Sequence, residues 1–216
     1  MIDHSLLNPT MTDQILLEGI EIAKKYKVAS VCIKPYFVSK AAELLKGSGV
    51  EVGTVIGFPH GGHATSVKVM EALQAIKDGA VELDMVVNIG QVLSEDWANV
   101  EADIQAVVGV CKANHALSKI IFENCYLEDK HKIKLCQICE KVGADFVKTS
   151  TGYGTSGATN EDLKLMRANV SSKVQVKAAG GVRTLDRLLE VADLGVTRVG
   201  ATATIVILEE AAKRLK

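Results

Sequence analysis

Eight strand-like segments alternating with eight helix-like segments predict an α/β fold, a single (β/α)8 TIM barrel. Short β-branched runs alternate with longer amphipathic stretches from one end of the 216 residues to the other. No Ser/Pro-rich linker, charge block or low-complexity stretch divides them, and only three prolines occur, so residues 1–216 read as one domain. Eight consecutive units favour closure over an open doubly wound sheet, which stays the alternative because periodicity alone counts strands poorly.

In chain order, the strands are expected at 2–7, 29–33, 51–58, 81–87, 119–123, 145–149, 173–179 and 197–199. The helices between them are expected at 12–26, 37–47, 63–78, 95–115, 128–142, 159–168, 184–194 and 203–215. The helix at 128–142 shows the logic. Ile133, Cys136, Ile138 and Cys139 recur at helical spacing, while Lys130, Lys132, Lys134, Glu140 and Lys141 cover most of the remainder. Gly143 then supplies a stop before the next strand.

Composition narrows the function classes. The chain is 48% hydrophobic and 24% charged, enough apolar surface for a sizeable core. Lys and Arg number 25 against 26 Asp and Glu, so no global field recruits nucleic acid or an anionic membrane, and an anionic substrate must be held locally. The start, MIDHSLLNPTMTDQ, has neither the basic segment nor the apolar run of a signal peptide, and no stretch is apolar enough for a membrane span. Cys32, Cys111, Cys125, Cys136 and Cys139 are an odd set within apolar periodic segments, which fits reduced, buried thiols and a cytoplasmic location.

Three ionisable side chains interrupt apolar strands: Asp84 in VELDMVVN, Lys148 in ADFVKTS and Lys177 in VQVKAAGG. A buried charge without a partner is expensive, so such lysines either point outward between helices or occupy a functional site. Strand alternation puts Lys148 on a face with Phe146 and Ser150, and Lys177 with Gln175 and Ala179. Both lie near the C-terminal ends of consecutive strands, where barrel active sites are built, and adjacent strands run about 4.8 Å apart. A cationic neighbour and a desolvated pocket favour the neutral amine in at least one of them, the form that attacks a carbonyl. Which of the two is neutral stays open at this level. Solvated strand-end lysines are the plain alternative. The neighbouring loops weigh against it: KTSTGYGTSGAT is long, small and hydroxyl-rich, and AAGGVRT is a glycine turn entering a helix.

Gly180-Gly181 and Gly200-Ala201-Thr202 precede the seventh and eighth helices, where many barrels hold a phosphate on backbone N–H groups. Arg183 either adds charge there or makes a surface ion pair.

The segments IDHSLLNP, VIGFPHGG, GAVELDMVVNIG, IIFENCYL, GADFVKTSTGYGTSGAT, VKAAGGVRT and the run ending at Gly200 together resemble the deoxyribose-phosphate aldolase family, class I aldolases of the DeoC type. The likeness covers nearly the whole chain, and FVKTSTG with VKAAGG is its most specific part. It implies a lyase that reversibly cleaves 2-deoxy-D-ribose 5-phosphate to D-glyceraldehyde 3-phosphate and acetaldehyde, in deoxynucleoside catabolism. By resemblance Lys148 is the Schiff-base lysine, and Asp84 and Lys177 are its proton relay. Asp3 and Asn8 match polar residues lining the mouth. Thr151 follows the catalytic strand, and Gly180, Gly181, Gly200 and Thr202 match the phosphate turns. The scheme uses no metal and no cofactor, its partners are small molecules, and the family implies a homodimer.

Several positions depart from the family pattern. Thr202-Ala203 stands where many members have a serine pair, which removes a hydroxyl donor from the phosphate site. Some members close the site with a C-terminal tyrosine, whereas the last tyrosine here is Tyr153. His60, His63 and Lys34 also differ. Cys136-x2-Cys139 and His60-x2-His63 have metal-ligand spacing, but each lacks the further ligands of a tetrahedral site, so buried small residues and a rim loop are the simpler readings. Glu123 is expected to hold Lys148 or Asp84 in place, and the few aromatics form no platform for bases. Two competing functions remain. One is another Schiff-base barrel acting on a different carbonyl, such as a transaldolase-like or keto-acid aldolase. The other is a phosphosugar-binding regulator without turnover.

Overall fold

The computed structural model describes residues 1–215. Eight parallel strands close a barrel in sequence order: β1 (Ile2–Leu6), β2 (Ser30–Ile33), β3 (Glu51–Ile56), β4 (Glu82–Val86), β5 (Leu117–Ile121), β6 (Phe146–Lys148), β7 (Gln175–Ala179) and β8 (Arg198–Ala201). Around them lie α1 (Asp13–Tyr26), α2 (Val38–Leu45), α3 (Thr65–Lys77), α4 (Ile89–Leu93), α5 (Trp97–Ala113), α6 (Asp129–Val142), α7 (Asn160–Ala168), α8 (Leu185–Asp193) and α9 (Thr204–Arg214). The closed barrel rules out the open sheet. Among the described residues no helix is long and apolar enough to cross a membrane.

The main apolar core lies between the barrel and its helices. Outward residues such as Val31, Leu83, Met85, Ile120, Val147, Val176 and Val199 pack there with Leu16, Ile20, Ile104 and Leu163 from the helices. Each buried aliphatic side chain contributes roughly 1.5–3 kcal/mol through removal of its surface from water. Cys136 and Cys139 belong to this layer as free, buried thiols. At the end of α6, Gly143 takes the left-handed conformation, φ 69°, and caps the helix through the carbonyls of Cys139 and Glu140.

Three local departures from the sequence expectation matter for the site. The fifth strand runs over Leu117–Ile121 rather than 119–123, and Glu123 lies beyond it with φ 57°. Register with β4 sets this shift, because it pairs Lys119 with Asp84. The eighth strand extends through Gly200 and Ala201, so Gly200 is a strand residue rather than a turn residue. A Cβ at Gly200 would only touch Lys177 Cε, at an ordinary 3.5 Å. The short helix α4 follows β4 where a loop was expected; Asn88 caps it by accepting from the Gln91 amide.

Candidate active site

Strand alternation carries one residue in two to the barrel interior. In many barrels these positions hold branched aliphatic side chains. Here they hold Asp3 on β1, Glu82 and Asp84 on β4, Lys119 on β5, Lys148 on β6, Lys177 on β7 and Arg198 on β8. All except Arg198 are buried.

The charges form one connected network. Asp84 Oδ2 accepts from Lys148 Nζ and from Lys177 Nζ, each at 2.7 Å, and Asp84 Oδ1 accepts from Lys119 Nζ at 2.8 Å. Lys148 and Lys177 are direct partners across β6 and β7, so the adjacency that alternation predicts is realised on a shared carboxylate. Below them Lys119 pairs with Glu82 at 2.7 Å. Arg198 bridges Asp3 at 2.6 Å and Glu82 at 2.9 Å, and Asp3 reaches up to Lys177 at 2.5 Å. Every buried cation thus has a carboxylate, which offsets the desolvation that an isolated charge would suffer.

Geometry separates the two lysines. Burial, reinforced by the Lys177 ammonium, lowers the pKa of Lys148 despite the pull of Asp84. Burial acts on Lys177 in the same sense, but the carboxylates of Asp3 and Asp84 outweigh it and raise its pKa well above the usual value. Against the burial penalty, the three lysines hold Asp84 far below the carboxylate range. Lys119 is raised chiefly by Asp84, which overcomes its own burial. Three carboxylates face four cations in this network, so loss of one proton balances it. Of the four cations, Lys148 is the one whose pKa is lowered.

A cleft of about 320 Å³ opens above this centre at the C-terminal ends of the strands. Lys148 and Lys177 reach its floor, and Asn8, Thr151, Gly180, Gly181, Gly200 and Thr202 line its walls. Asp84 lies beneath the floor, fully buried. Gly180 and Gly181 have φ of 81° and 87°, the left-handed region that glycine occupies without strain. Arg183 also lines the cleft.

Two expectations need correction. Asp3 is not at the mouth: it is fully buried among Ser30, Lys177 and Arg198, because it is the second residue of β1, at the end of that strand away from the cleft. Glu123 touches neither Lys148 nor Asp84. Its carboxylate accepts from the Thr151 amide at 3.1 Å and from the Thr151 hydroxyl, so it holds the loop after β6. His60 and His63 are exposed on the rim loop, and no group of three or more His, Cys, Asp or Glu side chains arranged to hold a metal occurs among the described residues. Lys34 gains an account: its Nζ donates to the carbonyls of Pro9 and Met11, tying the loop after β1 to the end of β2.

Sequence reasoning missed Lys119, Glu82, Arg198 and Cys32. Glu82 and Arg198 stand two residues before Asp84 and Gly200, so period two from those positions marks both as inward. Lys119 was hidden by the misplaced start of its strand. Cys32 lies 4.0 Å from Asp84, and burial, with that carboxylate, pushes its thiol up to about 11.

A barrel whose cleft presents a lysine of lowered pKa, backed by a carboxylate and a second lysine, defines an enzyme that engages carbonyl compounds through an amine. The family model for DeoC/LacD family aldolases matches residues 1–207, and the chain belongs to that family. It is 57% identical over 215 residues to a deoxyribose-phosphate aldolase of Rhodopirellula baltica, spanning 100% of this chain and 89% of that protein. The corresponding enzyme of Clostridium tetani is 46% identical over 97% of this chain and 96% of its own length. Among solved structures, the tetrameric deoxyribose phosphate aldolase of Aeropyrum pernix superposes with a TM-score of 0.90 at 30% identity. That match covers 100% of this chain and 90% of that one.

Proposed function

We propose that the protein is a class I aldolase that reversibly cleaves 2-deoxy-D-ribose 5-phosphate to D-glyceraldehyde 3-phosphate and acetaldehyde, with Lys148 as the Schiff-base nucleophile. The observation that carries this reading is the pair of lysines on Asp84 Oδ2, of which only Lys148 has a lowered pKa. Neutral Lys148 adds to the sugar aldehyde at C1 and the adduct loses water, giving a protonated imine. The C3 hydroxyl proton then leaves by way of Asp84 and water as the C2–C3 bond breaks, and the bonding electrons pass to the imine as an enamine. Asp84 strongly prefers the ionised state, so it holds that proton only in transit. Lys177, an ammonium whose pKa is raised, is placed to protonate the enamine carbon, after which hydrolysis frees acetaldehyde.

The backbone turns at Gly180-Gly181 and Thr202-Ala203, with Arg183, hold the 5-phosphate in this reading, while Asn8 and Thr151 face the sugar. Lys119 lies below the cleft with a raised pKa, and its role is to hold Asp84 and Glu82. The test is borohydride reduction in the presence of acetaldehyde followed by peptide mass mapping. The expected adduct is on Lys148 and is missing in Lys148→Ala; an adduct on Lys119 or Lys177 instead would overturn the assignment.

The same reading makes the chain a single-domain cytoplasmic enzyme and a homodimer. Free thiols support the compartment, and exposed Tyr36, Val67, Met70 and Leu73 offer apolar surface for a second copy. Light scattering on the purified protein distinguishes a dimer from a monomer or a tetramer.

A further inference from the structure

Helix α9 begins at the cleft wall, two residues after Thr202. Helices α1, α5, α7 and α8 each start with a Thr or Asp whose side chain accepts from a first-turn amide; α9, like α2 and α3, has no side-chain cap, and it starts after Ala203. Its first-turn N–H groups therefore lack a side-chain acceptor of their own, which leaves them available to an anion. Something else must fix where that turn points.

The contact that does so comes from β1. His4 follows Asp3, so alternation turns it away from the barrel interior and into the layer beneath the helices. There its Nδ1 meets Thr204 Oγ1 at 2.8 Å across 200 residues of sequence, with both residues buried. The other ring nitrogen, Nε2, is buried without a hydrogen-bond partner. A phenylalanine would fill this space without burying an unpaired polar atom, so the bond to Thr204 is what a histidine adds here.

We propose that His4 is a positioning residue: its bond to Thr204 sets the first turn of α9 and so aims the backbone donors that receive the substrate's phosphate. This rests on reading the turn after β8 as the phosphate cradle.

The bond is removed by two independent routes, Thr204→Val, which keeps the side chain's shape, and His4→Phe, which keeps the ring. Either one suffices should the other fail to fold, and Thr204→Ser restores the hydroxyl. KM and kcat are measured on 2-deoxyribose 5-phosphate and on 2-deoxyribose, and inorganic phosphate binding is read from the rise in melting temperature. The expected result is a KM for the phosphorylated sugar raised about three- to tenfold, the factor one ordinary hydrogen bond supports. Its kcat and both constants for 2-deoxyribose are expected to stay unchanged. Phosphate binding weakens by the same factor, and Thr204→Ser behaves as wild type. Equal losses on both sugars, no loss on either, or failure of Thr204→Ser to restore KM would overturn the proposal. Should the wild type turn over neither sugar, the aldolase reading falls, while the phosphate titration of the variants still decides the role of His4.

Discussion

Lys148 and Lys177 share one carboxylate oxygen, yet only Lys177 also reaches Asp3, and that difference divides their proton affinities. The nucleophile must be neutral, so kcat/KM rises with pH through the pKa of Lys148 and then levels off. Lys177→Leu removes a cation that disfavours the Lys148 ammonium, so the pKa of Lys148 goes up and the rising limb moves to higher pH, by about one unit. If Lys177 is the proton donor of the proposed mechanism, its loss also lowers the plateau about 10²-fold. A pH–rate profile of the variant checks both, and a limb displaced to lower pH would contradict the arrangement. Lys119 separates from the chemistry in a different way. Lys119→Met leaves Glu82 and Asp84 short of a partner in the interior and is expected to reduce unfolding free energy by about 3 kcal/mol. Denaturant titration reads that loss, and the borohydride adduct on Lys148 is expected to persist in the folded variant.

At the scale of elements, the cleft is shaped by loops that lean on one another. Ala158, in the loop after β6, donates its amide to Gly180 O at 3.0 Å, and a Cβ at Gly157 would lie 2.4 Å from that same carbonyl. Two backbones therefore meet where the loop after β6 crosses the turn after β7. Gly157→Ala must push them apart, at a cost of about 1–3 kcal/mol in stability. The displaced turn is expected to weaken 5-phosphate binding more than turnover, so thermal unfolding and KM on the phosphorylated sugar check the two effects separately. Glu123 performs a related task from the turn just beyond β5. Its left-handed backbone turns the carboxylate onto Thr151, so the strand that supplies Lys119 below also steadies the mouth above.

For the whole molecule, a net charge of -1 means that the field drawing in a phosphorylated sugar is local to the cleft. Exposed charges are screened over about 8–10 Å at ordinary salt, while buried pairs are screened much less. Accordingly kcat/KM is expected to change less than about threefold between about 0.05 M and about 0.3 M salt. A steep decline would instead reveal long-range steering. Closure of the barrel is what makes the buried network possible, because β1 and β8 pair and bring Asp3 and Arg198 against Glu82, Lys119 and Lys177.

Periodicity and motif chemistry made the barrel, the eight units and the three residues Asp84, Lys148 and Lys177 legible from the chain alone, because alternation and apolar context are local properties. Position within the barrel was not legible. Asp3 was expected at the mouth and lies beneath the lysines, since which end of β1 meets the cleft depends on pairing with β2 and β8. Lys119 was missed because cross-strand register, not the apolar run IIF, sets where β5 begins. The sequence by itself determined which residue types could do amine chemistry and that Lys148 and Lys177 stand on one face of neighbouring strands. Only the tertiary structure decided how the two lysines differ in proton affinity, because the pKa of each depends on carboxylates brought to it by other strands: Asp84 for both, and Asp3 for Lys177 alone.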